Sequence, residues 1–486
     1  MKLYLQLLKA IIQKYIFRKD TGTVIKNLCE SMGIIYIKLA QILATQNIGD
    51  FFNENNRISL SSICDNCHPI PYTEIEAILK QEYKEDFNKI FSFIDPNPVG
   101  SASISQVHKA TLSNGQNVAV KVKRKDIANG IEKDIEQIRK LMNRYGKLFG
   151  FKNTPAGNKG LNIYLNWIKE ETDFINEIKN IEKYSNFAKS VNGQIQGTKN
   201  INVPRVYRGL STKNIIIMDF IEDKTINQQE LTNAYKEKIS KALNSYIKLS
   251  FHALLNNKKV IFHGDPHSGN IYIDKDGNIG FLDMGLLFEL SEQDIEFTKQ
   301  IFFAIYTKNE NQIFYILTAM DKSQNQDKEL LKKDIHNYLI NIKGKPITSW
   351  FVDLISVCLN KEIVPPDFLF SMAKVFVCLN GIITFSENLT NASELIKEEI
   401  TKYYVKRSIN NLSDLTVQGL KLTPTLLDNF CTFGLTKGIV KSSSNVLDFH
   451  SKAINALNNL KEIIAMLNNN QDTSNTSNCR KKEKSN

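Results

Sequence analysis

Apolar positions follow a helical period at the start of this chain, alternate in parts of its first half, and return to a helical period towards the end. Val24, Ile25 and Leu28, then Ile34, Ile35, Ile37, Leu39, Ile42 and Leu43, predict a helix over residues 21–46. Pro69 and Pro71 break that pattern, and a helix from Thr73 to about Glu82 precedes Phe91. From Pro98 to Lys123 small residues give way to alternation around an LSNGQ turn, which predicts a β-meander ending in Val118-Ala-Val-Lys121. A charged amphipathic helix over 127–148, a linker over 152–160 and a further helix carrying Glu171, Asp173, Phe174, Glu177 and Asn180 come next. Two strands, INVPRVY and NIIIMDF, fall between Asn200 and Asp219, and a long helix runs from Gln228 to Asn256. IYI and NIGFL flank the turn residues Asp274 to Gly277, predicting a short antiparallel hairpin. From Ser291 to about residue 466 the pattern is almost wholly helical.

Composition adds little to this outline. A chain of 486 residues, 42% hydrophobic and 23% charged, has room for one large or two ordinary domains. The net charge of +11 is spread along the chain, which suits a solvated lysine-rich surface and is compatible with phosphate-bearing ligands or an anionic membrane. No nucleic acid is expected as a partner. Seven scattered cysteines imply no disulfide framework and fit a reducing cytoplasm. Cys64-Asp-Asn-Cys67-His68 matches a haem-attachment pattern, but no export signal accompanies it and chance is the better reading. Lys2, Gln6, Lys9 and Gln13 interrupt the first 19 residues on one helical face, which suits a packed amphipathic helix or one lying at a membrane surface. No window offers the ~20 continuous apolar residues of a membrane span. The best, Leu422 to Val440, holds Pro424, Asp428 and Lys437.

The chemistry concentrates between His263 and Gly285, HGDPHSGNIYIDKDGNIGFLDMG. Asn270 follows Asp265 by five positions, and Asp283 follows Asn270 by thirteen. One strand-loop-strand unit thus carries two carboxylates and an amide towards one point, as the catalytic loop and metal-binding turn of kinases do. Asp265 would hold or deprotonate a nucleophile, while Asn270 and Asp283 would hold Mg²⁺ on ATP phosphates. Upstream, Gly100, Ser101, Ala102 and Ser103 form a small-residue loop whose backbone N–H groups could approach phosphates closely. Lys121 would hold the α- and β-phosphates, and a helical glutamate is needed to fix it. Glu177 is the choice, with Glu170 and Glu171 as local competitors. Backbone groups from Asp219 through Phe220 to Ile221 would meet adenine, with Met218 behind it.

Together these motifs resemble the UbiB (AarF/ADCK-like) family of atypical kinases. Lys38-Leu-Ala-Gln41 resembles its K-x-G-Q motif and Ala102 to His108 its Ala-rich loop. Glu171-Thr-Asp173 is similar to its E-x-D motif, and Phe262 to Asn270 to F-H-x-D-P-H-P-G-N. The resemblance implies an α+β, protein-kinase-like bilobal fold with a largely helical C-terminal lobe. On that reading residues 1–90 are an N-terminal helical extension, 91–222 the N-lobe, 223–400 the C-lobe, 401–467 a helical region and 468–486 a disordered tail. It implies further that Lys38 faces the ATP pocket and meets Glu171 or Asp173. The implied activity is ATP and Mg²⁺ binding with ATPase-like or phosphotransfer chemistry on a small or lipid-like partner, linked to isoprenoid quinone metabolism. Any membrane contact would be peripheral. Ala40 stands where the family has Gly, and Gly100-Ser-Ala-Ser is less Ala-rich than the family loop. The alternatives are a protein Ser/Thr kinase, which the short segment after Gly285 disfavours, and an ATP-sensing scaffold without turnover.

Overall fold

Alternation is written into both faces of the first sheet. The computed structural model describes residues 69–102, 104–125, 131–145, 154–320, 327–345, 347–383, 398–400 and 402–403, together with Asn27 and Tyr36. Strands β1 (Phe91–Ser101), β2 (Ser105–Leu112), β3 (Asn117–Lys123) and β5 (Ile215–Asp219) form an antiparallel four-stranded sheet in the order β1-β2-β3-β5. On β3, Val118, Val120 and Val122 pack with Ile215 and Ile217 against Ile75 and Leu79 of helix α1 (Tyr72–Tyr83). The intervening Ala119 joins Ile216 and Met218 in the main core on the opposite face. Lys121 therefore points away from α1, in register with Val107 and Ile216. Both faces are covered, so the strand reads as an almost unbroken buried run. After the four-residue helix α2 (Phe87–Ile90), β1 begins with bulges that bend it along β2.

Helix α3 (Ile131–Tyr145) is amphipathic, and the hydroxyl of the buried Tyr36 reaches its Gln137 at 3.5 Å. The predicted linker over 152–160 is corrected: helix α4 (Pro155–Glu171) starts inside it. Thr154 caps α4 by accepting from the Gly157 N–H, and Pro155 sits in the first turn, where its missing N–H costs nothing. The single helix expected through Asp173 is also corrected. The chain breaks at Thr172, and Asp173 caps a new helix, α5 (Phe174–Val191), by accepting from Ile175 and Asn176 N–H at 3.0 and 3.2 Å. The buried stripe of α5 runs through Phe174, Glu177, Ile178, Ile181, Tyr184 and Ala188, which places Glu177 on the core face.

Of the two strands expected between Asn200 and Asp219, β5 joins the first sheet, whereas β4 (Ile201–Asn202) pairs in parallel with β8 (Ile279–Phe281). That strand and β7 (Ile271–Ile273) form the predicted hairpin, closed by Gly277 in the left-handed region (φ 83°). Asp274 accepts from the N–H groups of Asp276 and Asn278 inside that turn. Gly280 is required opposite Tyr272, because a Cβ there would lie 2.1 Å from the tyrosine ring. A second pair, β6 (Val260–His263) with β9 (Leu287–Leu290), was not expected from the sequence. The long helix α6 (Asn233–Asn256) starts five residues later than the periodicity suggested, capped by Thr232. The helices α7 (Glu292–Tyr306), α8 (Glu310–Met320), α9 (Lys328–Asn341), α10 (Ile347–Asn360) and α11 (Asp367–Ile383) follow.

Candidate functional site

Lys121, Glu177 and Asp283 arrive from three elements and meet. The Lys121 ammonium lies 2.6 Å from Glu177 Oε1 and 2.9 Å from Asp283 Oδ2. Its side chain is 8% exposed and that of Glu177 fully buried, while Asp283 keeps 40% of its side-chain surface open. Burial disfavours the ammonium, but the Asp283 and Glu177 carboxylates more than offset this and hold its pKa above the ordinary lysine value. Burial likewise opposes the Asp283 charge, yet Lys121 and the Gly285 N–H, which donates to Oδ1 at 2.8 Å, keep its carboxyl below the usual range. Glu177 moves the other way. Burial pushes its carboxyl up to about 7 against the pull of Lys121. Glu170 lies exposed at the end of α4, and Glu171 turns towards α11, so the lysine is met by the glutamate of α5.

His263 joins the two halves of the loop. Its Nδ1 accepts from the Asp265 N–H at 3.1 Å, and its Nε2–H donates to the Asp283 carbonyl at 2.5 Å. Accepting at Nδ1 needs the neutral ring, and burial lowers its pKa to about 4. The ring stacks on Phe281 with centroids 4.8 Å apart. A second tie runs from the Leu282 N–H to the Asn270 carbonyl at 2.9 Å, so Asn270 and Asp283 are fixed to each other through backbone. Asn180 of α5 donates to the Met284 carbonyl at 3.0 Å, anchoring the Asp283 turn to the helix that carries Glu177.

The small-residue loop is braced from β3. Arg124 donates through Nη2 to Ser101 Oγ at 2.7 Å and through Nε to the Ala102 carbonyl at 3.0 Å. The Ala102 N–H bonds the Ser105 carbonyl, closing the turn. Adding a Cβ at Gly100 would meet nothing within 4 Å, so space remains above it. Gln106 and His108, both buried, do structural work: Gln106 bonds the backbone N–H and carbonyl of Ile70, and His108 bonds the Asp95 carbonyl. At the end of β5 one backbone group is already engaged. The Asp219 N–H donates to the Arg205 carbonyl and its carboxylate accepts from the Tyr207 hydroxyl. Phe220 and Ile221 follow, both half-buried.

Two residues without a sequence motif reach Asp265. Lys374 of α11 lies 3.8 Å from Asp265 Oδ1 and 3.5 Å from Glu171 Oε1, and Cys378, one turn further, lies 3.5 Å from the same Asp265 oxygen. Glu171 thus pairs with Lys374, and Asp173 serves as a helix cap. Ser103, Lys38 and Gln41 lie outside the described residues, so the expected contact from Lys38 does too.

A model of the ABC1 atypical kinase-like domain matches residues 62–317. The chain belongs to that family. Its α+β fold is accordingly the protein-kinase-like one, and the UbiB/AarF resemblance is the right one. Among ABC1 relatives, an uncharacterised Clostridium pasteurianum protein from the 5′ region of hydrogenase 1 is 29% identical over 79% of this chain and 70% of its own length. An uncharacterised aarF domain-containing chloroplast protein kinase of Arabidopsis thaliana is 28% identical over 55% of this chain, which spans 48% of that protein. Among solved structures, Mycobacterium tuberculosis Rv3197 in complex with erythromycin superposes with a TM-score of 0.44 at 18% identity, covering 80% of this chain and 98% of its own. Among the described residues, no helix is long and apolar enough to cross a membrane, and no three His, Cys, Asp or Glu converge on a metal position. A Mg²⁺ shared with phosphates needs fewer protein ligands. The Asp283 carboxylate and Asn270 amide are hard oxygen donors suited to it, and the exposure of Asp283 leaves it open to such an ion.

Proposed function

We propose that this chain binds Mg-ATP between its first sheet and the Asp265–Asp283 loops, and transfers or hydrolyses the terminal phosphoryl group. The observation that supports this most is the closed set Lys121–Glu177–Asp283, in which the cation for the phosphates is already held by the helix and the metal turn. Mg²⁺, when bound through Asn270 and Asp283, would neutralise charge on the phosphate oxygens. Lys121 would hold the α- and β-phosphates, the loop from Gly100 to Ala102 would cover them with backbone N–H groups, and Asp265 would orient the nucleophile and take its proton. The acceptor we propose is a small phenolic or lipid-like molecule, of the isoprenoid-quinone type, met at a membrane surface that the chain touches peripherally. After Gly285 the chain enters β9 at Leu287 and α7 at Glu292, which disfavours a peptide platform there.

The test is Mg²⁺-dependent ATP turnover by the full chain, measured with and without anionic liposomes and phenolic quinone precursors. Turnover should require Mg²⁺, rise with liposomes or phenols, and fall at least about a hundredfold in Asp283→Asn, comparable to losing one preorganised transition-state contact. Turnover that survives Asp283→Asn would overturn the reading, as would efficient phosphorylation of peptides by the unmodified chain.

A further inference from the structure

The loop that carries the proposed base supplies no lysine or arginine of its own. Between Asp265 and Asn270 stand Pro266, His267, Ser268 and Gly269. Yet a carboxylate that must stay ionised beside a triphosphate needs a counter-charge, since like charges a few ångströms apart raise the pKa of the weaker acid. Among the described residues, Lys374 is the cation within 4 Å of Asp265. It comes from α11, far along the chain and outside every motif of the nucleotide site.

The surroundings fix where that ammonium can go. Its side chain is 15% exposed and its Nζ lies 5.7 Å from the centre of the Trp167 ring on α4. Glu171, one helical turn beyond Trp167, holds it at 3.5 Å. The ammonium also approaches Asp265 Oδ1, at 3.8 Å. Cys378, four residues on and therefore on the same face of α11, approaches that same oxygen. Burial, and next the Asp265 charge, push its thiol up, so it stays protonated and serves as a donor. A simple ion pair joining α4 to α11 would need Glu171 alone; here two residues of one helix face converge on one oxygen of the loop.

Resting on the reading of Asp265 as the base, we propose that Lys374 is its positioning residue: held by Glu171, the ammonium orients the Asp265 carboxylate and keeps it ionised beside bound phosphates. Among the described residues, the other titratable groups around Asp265 include Glu171 on α4, Cys378 on α11, His263 and His267, and Asp283, which has Lys121 as its counter-charge. Of these, Glu171 opposes an ionised Asp265, and His263 is neutral. Lys374, 3.8 Å from Asp265 Oδ1, is placed to supply positive charge to it.

The test reads the Asp265 carboxyl directly in the full chain. Aspartate is labelled with carboxyl ¹³C, and the Asp265 resonance is identified by its loss in Asp265→Asn. In Lys374→Met and in Lys374→Gln its titration midpoint should rise by about one pH unit, while Lys374→Arg should restore most of the shift. With Mg-ATP, Lys374→Met should lower kcat at least about tenfold and move the acid limb of its pH profile upward, with the nucleotide-induced rise in Tm unchanged. An Asp265 midpoint that is the same in the parent, Met and Gln proteins overturns the proposal. The titration needs no turnover, so absence of ATP hydrolysis by the unmodified chain would count against the proposed function and leave this result readable.

Discussion

His263 is a single neutral ring on which two turns depend. It accepts from one backbone amide and donates to one carbonyl, and the first of these bonds is lost if Nδ1 takes up a second proton. Its folded pKa of about 4 lies below the unfolded value near 6.5, so the unfolded chain binds the extra proton first as pH falls. Stability from this group is therefore complete above about pH 6.5 and declines towards pH 4, by on the order of 3 kcal/mol over the full window. Urea unfolding across that range should show the decline, and His263→Phe should flatten it while lowering stability at pH 8 through loss of both bonds. An acid limb that is unchanged in His263→Phe would refute this account. At this scale much was legible. Asp265, Asn270 and Asp283 stand out because a short unit needs them at fixed spacing, and Lys121 because it ends an alternating strand. Lys374 was not legible, since one lysine in a mostly apolar helix carries no pattern, and only the tertiary packing of α11 brings it to Glu171 and Asp265.

Among the elements, the break at Thr172 has the largest effect. Helical spacing continues from α4 into α5, so periodicity alone joins them, and only the cap geometry of Asp173 separates them. That break re-aims the second helix so that Glu177 enters the core and Glu171 stays beside Lys374. Asp173→Ala should cost about 1 kcal/mol in urea unfolding, whereas Asp173→Ser, which still caps, should cost little. If Ser fails to rescue, the charge and not the cap is what matters. The β6–β9 pair escaped the sequence reading for a related reason. Val260 to His263 is a four-residue buried run, and such runs cannot be told from helix by period. Strands β2 and β3 and the β7–β8 hairpin were legible because turns with Gly115 and Gly277 bound their alternation, whereas β1 was expected only from Pro98 and starts at Phe91.

For the molecule as a whole, the Lys121 cluster joins the first sheet to the loops of the helical lobe. Removing the lysine would leave Glu177 buried beside Asp283 with no counter-charge. Lys121→Met should cost about 3 kcal/mol at pH 8 and less at pH 6, where Glu177, already raised to about 7, takes a proton instead. In the parent chain, Mg-ATP at a hundred times its Kd should add about 2.7 kcal/mol of stability, seen as a higher Tm that EDTA removes. The Met variant should show no such rise. The tiny strand β4 has a different consequence. Ile201 pairs with Ile279, although β5, which completes the first sheet, lies between them in the chain. The polypeptide thus enters the second lobe, returns to the first and leaves again. During synthesis the first lobe reaches the ribosome exit with β4 still lacking its neighbour, which is made only with the later hairpin. Cutting the gene after β5 would therefore not yield two independent halves. The two lobes are built to fold as one translation product.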